Sequence, residues 1–236
     1  MSINYKEQSG EIVLDVWGDY AMFTQPSAKV ERVSYSIPTP SALRGILNAI
    51  YCKPLEFYYQ ITGIDIMKPI KTISIKKNET KDKVDVKTLA PIIQIAEKGN
   101  HGITQRNNIY LKDVYYRIYA QIVRRKDFNG DENICAMVDQ FNKRAEKGKC
   151  FFQPCLGTRE CICYFSLPDY DKKPIDINER FGVVLYDVFD ITNNIPLNTD
   201  KKNKSGEINI TFFDAWAQKG HIEVPAYDSD KIYRRN

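Results

Sequence analysis

A chain of 236 residues with 43% hydrophobic content can bury a sizeable core, and its length points to one large domain or a main domain with a small appendage. Its 34 basic and 30 acidic side chains leave a net charge of +4, which admits a nucleic-acid partner without demanding one. No run approaches the roughly 20 apolar residues of a membrane span, and the opening MSINYKEQSGEIVLD has no apolar stretch of the signal-peptide kind, so the expectation is a soluble, cytoplasmic protein with no membrane partner.

Residues 11–17 (EIVLDVW) alternate, with Ile12, Leu14 and Val16 on one face, and read as a strand. A loop over 18–38 follows, carrying Lys29 and Arg32. The spacing then predicts a helix from Pro40 to about Tyr51. Thr39 serves as N-cap, and Pro40 fits the first helical position, where its missing N–H costs nothing. Leu43, Ile46, Leu47 and Ile50 form one apolar stripe, while Arg44, Asn48 and Tyr51 form a polar row on another face. A cation, an amide and a phenol in one row can hold an anion or place a proton. Lys53-Pro54 ends the helix, because the residue before proline avoids the helical region.

Residues 57–66 and 70–75 read as two further strands, and the lysine-rich stretch 76–87 as an exposed hairpin loop. A short strand is expected over 92–96 and a polar loop over 97–108, containing His101 and Arg106. Residues 115–123 (YYRIYAQIV) alternate again. Tyr116, Ile118, Ala120 and Ile122 would pack on helices, leaving Tyr115, Arg117, Tyr119 and Gln121 to face a ligand. A second helix is expected over 131–147, with the stripe Ile134, Met137, Val138, Phe141 and Ala145, and Gly148 in the C′ position. The stretch 150–165 is a turn running into a strand. From about residue 166 the pattern is strands only, at 181–189, 208–213 and 221–224, with a polar loop at 198–206 and a frayed tail at 231–236.

The order strand–helix–strand, strand–helix–strand gives an α+β fold: a ferredoxin-like (RRM-like) βαββαβ domain over 1–165 and a small β-rich C-terminal domain over 166–236. Its helices would cover one sheet face and leave the other open, the face that RNA-recognition folds use.

Four basic groups interleave with 15 tyrosines: Lys29 and Arg32; seven lysines between 68 and 87; the run 124–126; and Lys143, Arg144, Lys147 and Lys149. Cations attract phosphate and rings stack on bases, so this pattern favours RNA or DNA. Six cysteines lack paired C-x-x-C spacing, and the two histidines lie far from them, so buried free thiols are expected and no metal or other cofactor. Phosphate-binding glycine loops and hydrolase motifs are absent from the sequence. A metal-free ribonuclease needs less, because the RNA's own 2′-hydroxyl is the nucleophile, and Tyr51 at the helix end is available for such work.

Five blocks in order, VWGDYAMFTQP, KVERVSYSIPTPSALRGILNAIYCKP, LKDVYYRIYA, FFQPCLGTREC and GVVLYDV, resemble the Cas five d (Cas5d) subgroup of CRISPR-associated proteins of type I-C systems. The resemblance implies a ferredoxin-like domain with a small β-rich C-terminal part. It also implies metal-independent cleavage of precursor CRISPR RNA within each repeat, and retention of the 5′ handle beside Cas seven and Cas eight subunits. Double-stranded DNA is a further admissible partner through the lysine-rich 76–87 stretch. The family's cleavage tyrosine falls on Tyr51. Its Lys-His pair falls on Ala136 and Met137, which move no proton. Either Lys143, Lys149 or His101 substitutes, or the chain caps the handle without cutting. The expected RNA contacts are Lys29, Arg32, Arg44, Asn48, Lys149 and Arg159.

Overall fold

The computed structural model describes residues 10–28, 30–80, 103–125, 128, 133–192 and 209–234. Among them the strands are β1 (Ile12–Ala21), β2 (Arg32–Val33), β3 (Phe57–Ile66), β4 (Thr72–Thr80), β5 (Ile103–Arg124), β6 (Tyr164–Ser166), β7 (Glu179–Asp187), β8 (Thr211–Gln218), β9 (His221–Glu223) and β10 (Ile232–Arg234). The helices are α1 (Pro40–Ile50), between β2 and β3, and α2 (Ile134–Glu146), between β5 and β6. The strands form one mostly antiparallel sheet in the order β10-β8-β9-β3-β5-β1-β6, with β2 and β4 also pairing with β5, and β7 with β8. This is an α+β architecture dominated by antiparallel sheet.

The alternations read from sequence place the core. Ile12, Leu14 and Val16 of β1 and Tyr116, Ile118, Ala120 and Ile122 of β5 are all buried on one sheet face. The stripes Leu43, Ile46, Leu47, Ile50 of α1 and Ile134, Met137, Phe141, Ala145 of α2 join them in one apolar cluster. Strand β3 keeps its apolar residues on that face despite a change of parity from Tyr59 and Ile61 to Ile64 and Ile66. A register shift between Ile61 and Gly63 absorbs the extra residue.

The cluster continues into the C-terminal strands through Val184, Tyr186, Phe213, Ala215 and Ala217. Strand β9 pairs with β3 through Gly63, Ile64 and Asp65, so the sheet runs on from the N-terminal strands to the C-terminal ones.

Several sequence expectations are corrected here. The exposed loop expected over 76–87 begins as strand: β4 runs on through Lys76 and Lys77 to Thr80, paired with Ile103–Asn107 of β5. Of the polar loop expected over 97–108, residues 103–108 are therefore the start of the 22-residue β5, and 97–102 lie outside the described residues. These two segments are polar on both faces, so neither alternation nor an apolar run betrays the strands. The tail expected to fray contains β10, which pairs with β8, and its Ile232 is buried. The expected strand over 92–96 and polar loop over 198–206 lie outside the described residues.

The sheet face away from the helices is not open in its middle. Asp15, Arg117, Asp65 and His221 occupy facing positions in one row across β1, β5, β3 and β9. The Arg117 guanidinium grips Asp15 through two bonds, of 2.6 and 3.0 Å. Both residues are buried because the chain after β6 lies over them: Arg117 donates to the carbonyl of Asp169 at 2.6 Å, and Asp169 N–H donates to Asp15 at 3.1 Å. Arg117 is thus committed to an internal ion pair and does not face a ligand.

Candidate functional site

The helix α1 starts as its sequence dictates. The Thr39 hydroxyl accepts the Ala42 N–H at 3.3 Å, and Pro40 opens the first turn. At the other end Tyr51 is the C-cap, with an extended backbone (φ −146°, ψ 119°). That geometry takes Tyr51 out of the row begun by Arg44 and Asn48, because the row exists only while the backbone stays helical. The Tyr51 ring packs inward, 7% exposed, with its centre 5.5 Å from that of Phe57. Phe57 in turn meets Tyr59, and Tyr59 meets Phe141 of α2. The Tyr59 hydroxyl donates to the Tyr51 carbonyl at 2.7 Å, so the expected cleavage tyrosine sits in an aromatic string joining α1, β3 and α2.

Arg44 and Asn48 face a cavity of about 350 Å³, lined also by Tyr58, Arg125 and Asp190. Arg44 is not an exposed cation: its side chain is 14% exposed and forms an ion pair with Asp187 at the end of β7. Burial pushes its guanidinium down to about 10, still cationic at neutral pH. The second Asp187 oxygen accepts the N–H groups of Val188 and Phe189 at 2.7 and 2.9 Å. The pair therefore ties α1 to β7, across 143 positions of sequence. Arg125, part of the expected basic run, is similarly engaged, donating to the carbonyls of Pro54, Ile191 and Thr192.

A different cation reaches the end of α1. Arg144, in the last turn of α2, donates from Nε to the Ile50 carbonyl at 2.5 Å, and its guanidinium lies 4.2 Å from the centre of the Phe151 ring. Phe151 N–H donates to the Ala49 carbonyl at 2.7 Å, and its ring is 61% exposed. Lys143 and Lys149 are exposed, and Lys149 N–H bonds the Arg144 carbonyl beyond Gly148. The C-terminal end of α1 is thus surrounded by Tyr51, Arg144 and an exposed ring; Lys143 shares the last turn of α2 with Arg144, and Lys149 follows the helix just past Gly148. The sequence sets Arg144 in a basic group but not among the expected site residues; its signal is a last-turn cation ahead of a glycine stop. Of the two positions where the resemblance places a Lys-His pair, Met137 is in the core and Ala136 is exposed.

The loop with CLGTRE is built for packing. Leu156 is fully buried, its carbonyl accepts Met22 N–H at 2.9 Å, and its N–H bonds Cys161 at 2.8 Å. Gly157 has φ +92°, and a β-carbon there would lie 1.9 Å from the Met22 carbonyl oxygen, so no other residue fits. Glu160 does not pair with Arg159: it accepts from Lys77 at 2.7 Å and from the Tyr110 hydroxyl at 2.6 Å, and both hold its carboxyl below the usual range. Arg159 itself is exposed. Arg32 shares Glu79 with Arg106, at 3.3 and 3.5 Å. Lys29 and His101 lie outside the described residues. Of the cysteines, Cys161 and Cys163 are buried, but Cys135 is exposed and the rest are half-buried, so burial is not general as expected.

The Cas5d family model, described as CRISPR-associated protein (Cas_Cas5), matches residues 11–208. A relative from Mannheimia succiniciproducens, named CRISPR pre-crRNA endoribonuclease Cas5d, is 36% identical over 242 residues, which cover 96% of this chain and 100% of the relative. The chain belongs to the Cas5d family. A second Cas5d relative with the same name, from Thermus thermophilus, is 35% identical over 93% of either chain. The fold agrees as well. A solved structure described as a CRISPR-associated protein aligns with a TM-score of 0.67 at 24% identity, covering 96% of this chain and 97% of its own. A functionally uncharacterized protein from Streptococcus mutans aligns at 0.64 and 22% identity, covering 96% and 98%.

Within this Cas5d chain the family-matched region takes in both helices, the Arg144–Ile50 contact and the CLGTRE loop. No helix among the described residues is long and apolar enough to cross a membrane.

Proposed function

We propose that this chain binds the repeat of precursor CRISPR RNA, cuts it once without a metal ion, and keeps the 5′ handle in a surveillance complex beside Cas seven and Cas eight subunits in the cytoplasm. The observation that carries this is the match along the full length of a relative named as a pre-crRNA endoribonuclease. The strand order β6-β1-β5-β3, with one helix before β3 and one before β6, supports reading the N-terminal part as ferredoxin-like. Residues 1–165 would supply that RNA-holding part and 166–236 a β-rich companion joined through β9.

In the reaction the 2′-oxygen forms a bond to phosphorus and loses its proton, while the bond to the 5′-oxygen breaks and that oxygen gains one. The products are a cyclic phosphate and a 5′-hydroxyl. The protein must align the groups in line and offset charge on the phosphorane. Tyr51 is the proposed aligning or proton-handling group. Arg144 and the exposed Lys143 and Lys149 supply positive charge around the end of α1, and His101 is a further proton carrier. Lys29, Arg32, Lys149 and Arg159 are proposed phosphate contacts, with Arg44 and Asn48 reached only by a nucleotide entering their cavity. Double-stranded DNA would meet the lysine-rich residues 76–87.

A second reading has a specific observation behind it. Met137 is in the core, Ala136 carries no proton and Tyr51 is 7% exposed, which favours a handle cap that does not cut. Incubating the protein in EDTA with its own repeat RNA, beside Tyr51→Phe, separates the two. One cut, giving a cyclic phosphate and lost in the variant, supports the nuclease. Tight binding without a cut at protein excess supports the cap, and no binding ends both.

A further inference from the structure

The sheet face away from the helices carries a row of three rings in facing positions of three strands: Tyr164 of β6, Trp17 of β1 and Tyr115 of β5. These are not core residues, because β1 turns Ile12, Leu14 and Val16 to the helices and Trp17 the other way. Trp17 and Tyr164 stack with centres 6.2 Å apart and planes at 27°, and Tyr164 is 50% exposed. Trp17 and Tyr115 are 5.9 Å apart. The Tyr115 hydroxyl donates to Asp15 at 2.8 Å, which fixes its ring.

Cations rim the row. Lys172 Nζ lies 5.3 Å from the centre of the Tyr115 ring, and Lys68 and Lys173 line the same cavity of about 490 Å³. Lys68 and Lys172 each have one acid, Asp113 at 2.7 Å and Asp169 at 3.4 Å. The exposed Lys173 adds charge beyond those pairs. A cavity of this size suits a small ligand. Flat rings offer a stacking surface to any base, and lysines beside them match a phosphate. A duplex hides its base faces, so the fitting ligand is an unpaired nucleotide.

We propose that this row is a stacking subsite for one unpaired nucleotide of bound RNA, with the base on Trp17 and Tyr164 and the phosphate at Lys172 and Lys173. The proposal rests on the RNA-binding reading above and adds a place and a ligand form to it. It uses a face remote in sequence from Tyr51 and assigns no chemistry.

The chain has two tryptophans, so Trp216→Phe, on an exposed β8 position, leaves Trp17 as the sole reporter in the full-length protein. An eight-nucleotide oligoadenylate should quench its emission saturably, and blunt duplex RNA should not. Tyr164→Ala should weaken oligoadenylate binding roughly tenfold with the melting temperature unchanged, and Lys172→Ala should weaken it and flatten its salt dependence. Fluorescence anisotropy of the labelled oligonucleotide separates the failures. Binding without quenching, with Tyr164→Ala indifferent, overturns the subsite and leaves RNA binding standing. So does equal affinity for an abasic strand. If neither the oligonucleotide nor the repeat RNA binds, the RNA-binding reading fails and the subsite with it. If Tyr164→Ala loosens only the association with other complex subunits, the row is a protein contact and the proposal is overturned.

Discussion

His221 Nδ1 lies 2.6 Å from Asp65 Oδ1, and the two residues face each other across β9 and β3. The other Asp65 oxygen accepts the Tyr119 hydroxyl at 2.7 Å. The bond to Asp65 raises the His221 pKa, burial opposes, and Glu223 and Glu11 add to the rise. The folded chain therefore holds this proton more tightly than the unfolded one. The stability involved is complete below the unfolded value of about 6.5 and is lost as pH rises through the higher folded value. Urea midpoints measured between about pH 5.5 and 8.5 should fall with pH in the parent, and less so in His221→Gln.

Arg44→Ala leaves Asp187 as a buried carboxylate whose cation is gone. Removing one partner of a buried pair costs about 3–5 kcal/mol, so the urea midpoint should drop sharply. Replacing both residues, as Arg44→Met with Asp187→Leu, should recover much of the loss. A midpoint unchanged by Arg44→Ala would mean that the pair contributes little and that Arg44 is available to a ligand after all.

Gly157 and Gly148 both have positive φ, at +92° and +61°, but only Gly157 meets backbone where a β-carbon would stand. Gly148→Ala should cost about 1 kcal/mol through its left-handed backbone alone. Gly157→Ala adds a collision with the Met22 carbonyl and should lower the melting temperature much further or prevent soluble expression. Equal effects of the two changes would refute the packing role given to the CLGTRE loop.

Repeat binding should weaken steeply with salt, because phosphate contacts release counterions. Lys149 is exposed beside the end of α1, and Lys149→Ala should reduce the slope of log K against log salt by about 0.7 for a single-stranded contact. Anisotropy titrations across a salt series give the slope directly. A slope that Lys149→Ala leaves untouched removes that lysine from the interface.

What the sequence made legible were segments whose pattern answers to burial: β1, α1, β3 and the second half of β5, each with an apolar set on one face. The polar start of β5 and the far end of β4 answer to no such pattern, because backbone bonds and ion pairs such as Arg106–Glu79 hold them in place of apolar burial. The candidate site was legible only in part. Tyr51 was read into a helical row that its extended C-cap geometry breaks. Spacing offers Arg44 as an RNA contact because nothing local announces Asp187, far along the chain. Arg144 was visible as a charge but not as the group reaching Ile50, since helix-to-helix contacts leave no mark on spacing.

The pairing of β9 with β3 bears on the order in which the molecule is made. During synthesis β3 can pair with β5 long before residue 221 exists, so one of its edges waits with unpaired backbone groups until β9 emerges. Exposed strand edges recruit other chains, and domains synthesised early fold first. A fragment ending near residue 165 would keep that edge permanently bare. It should associate with copies of itself where the whole chain does not.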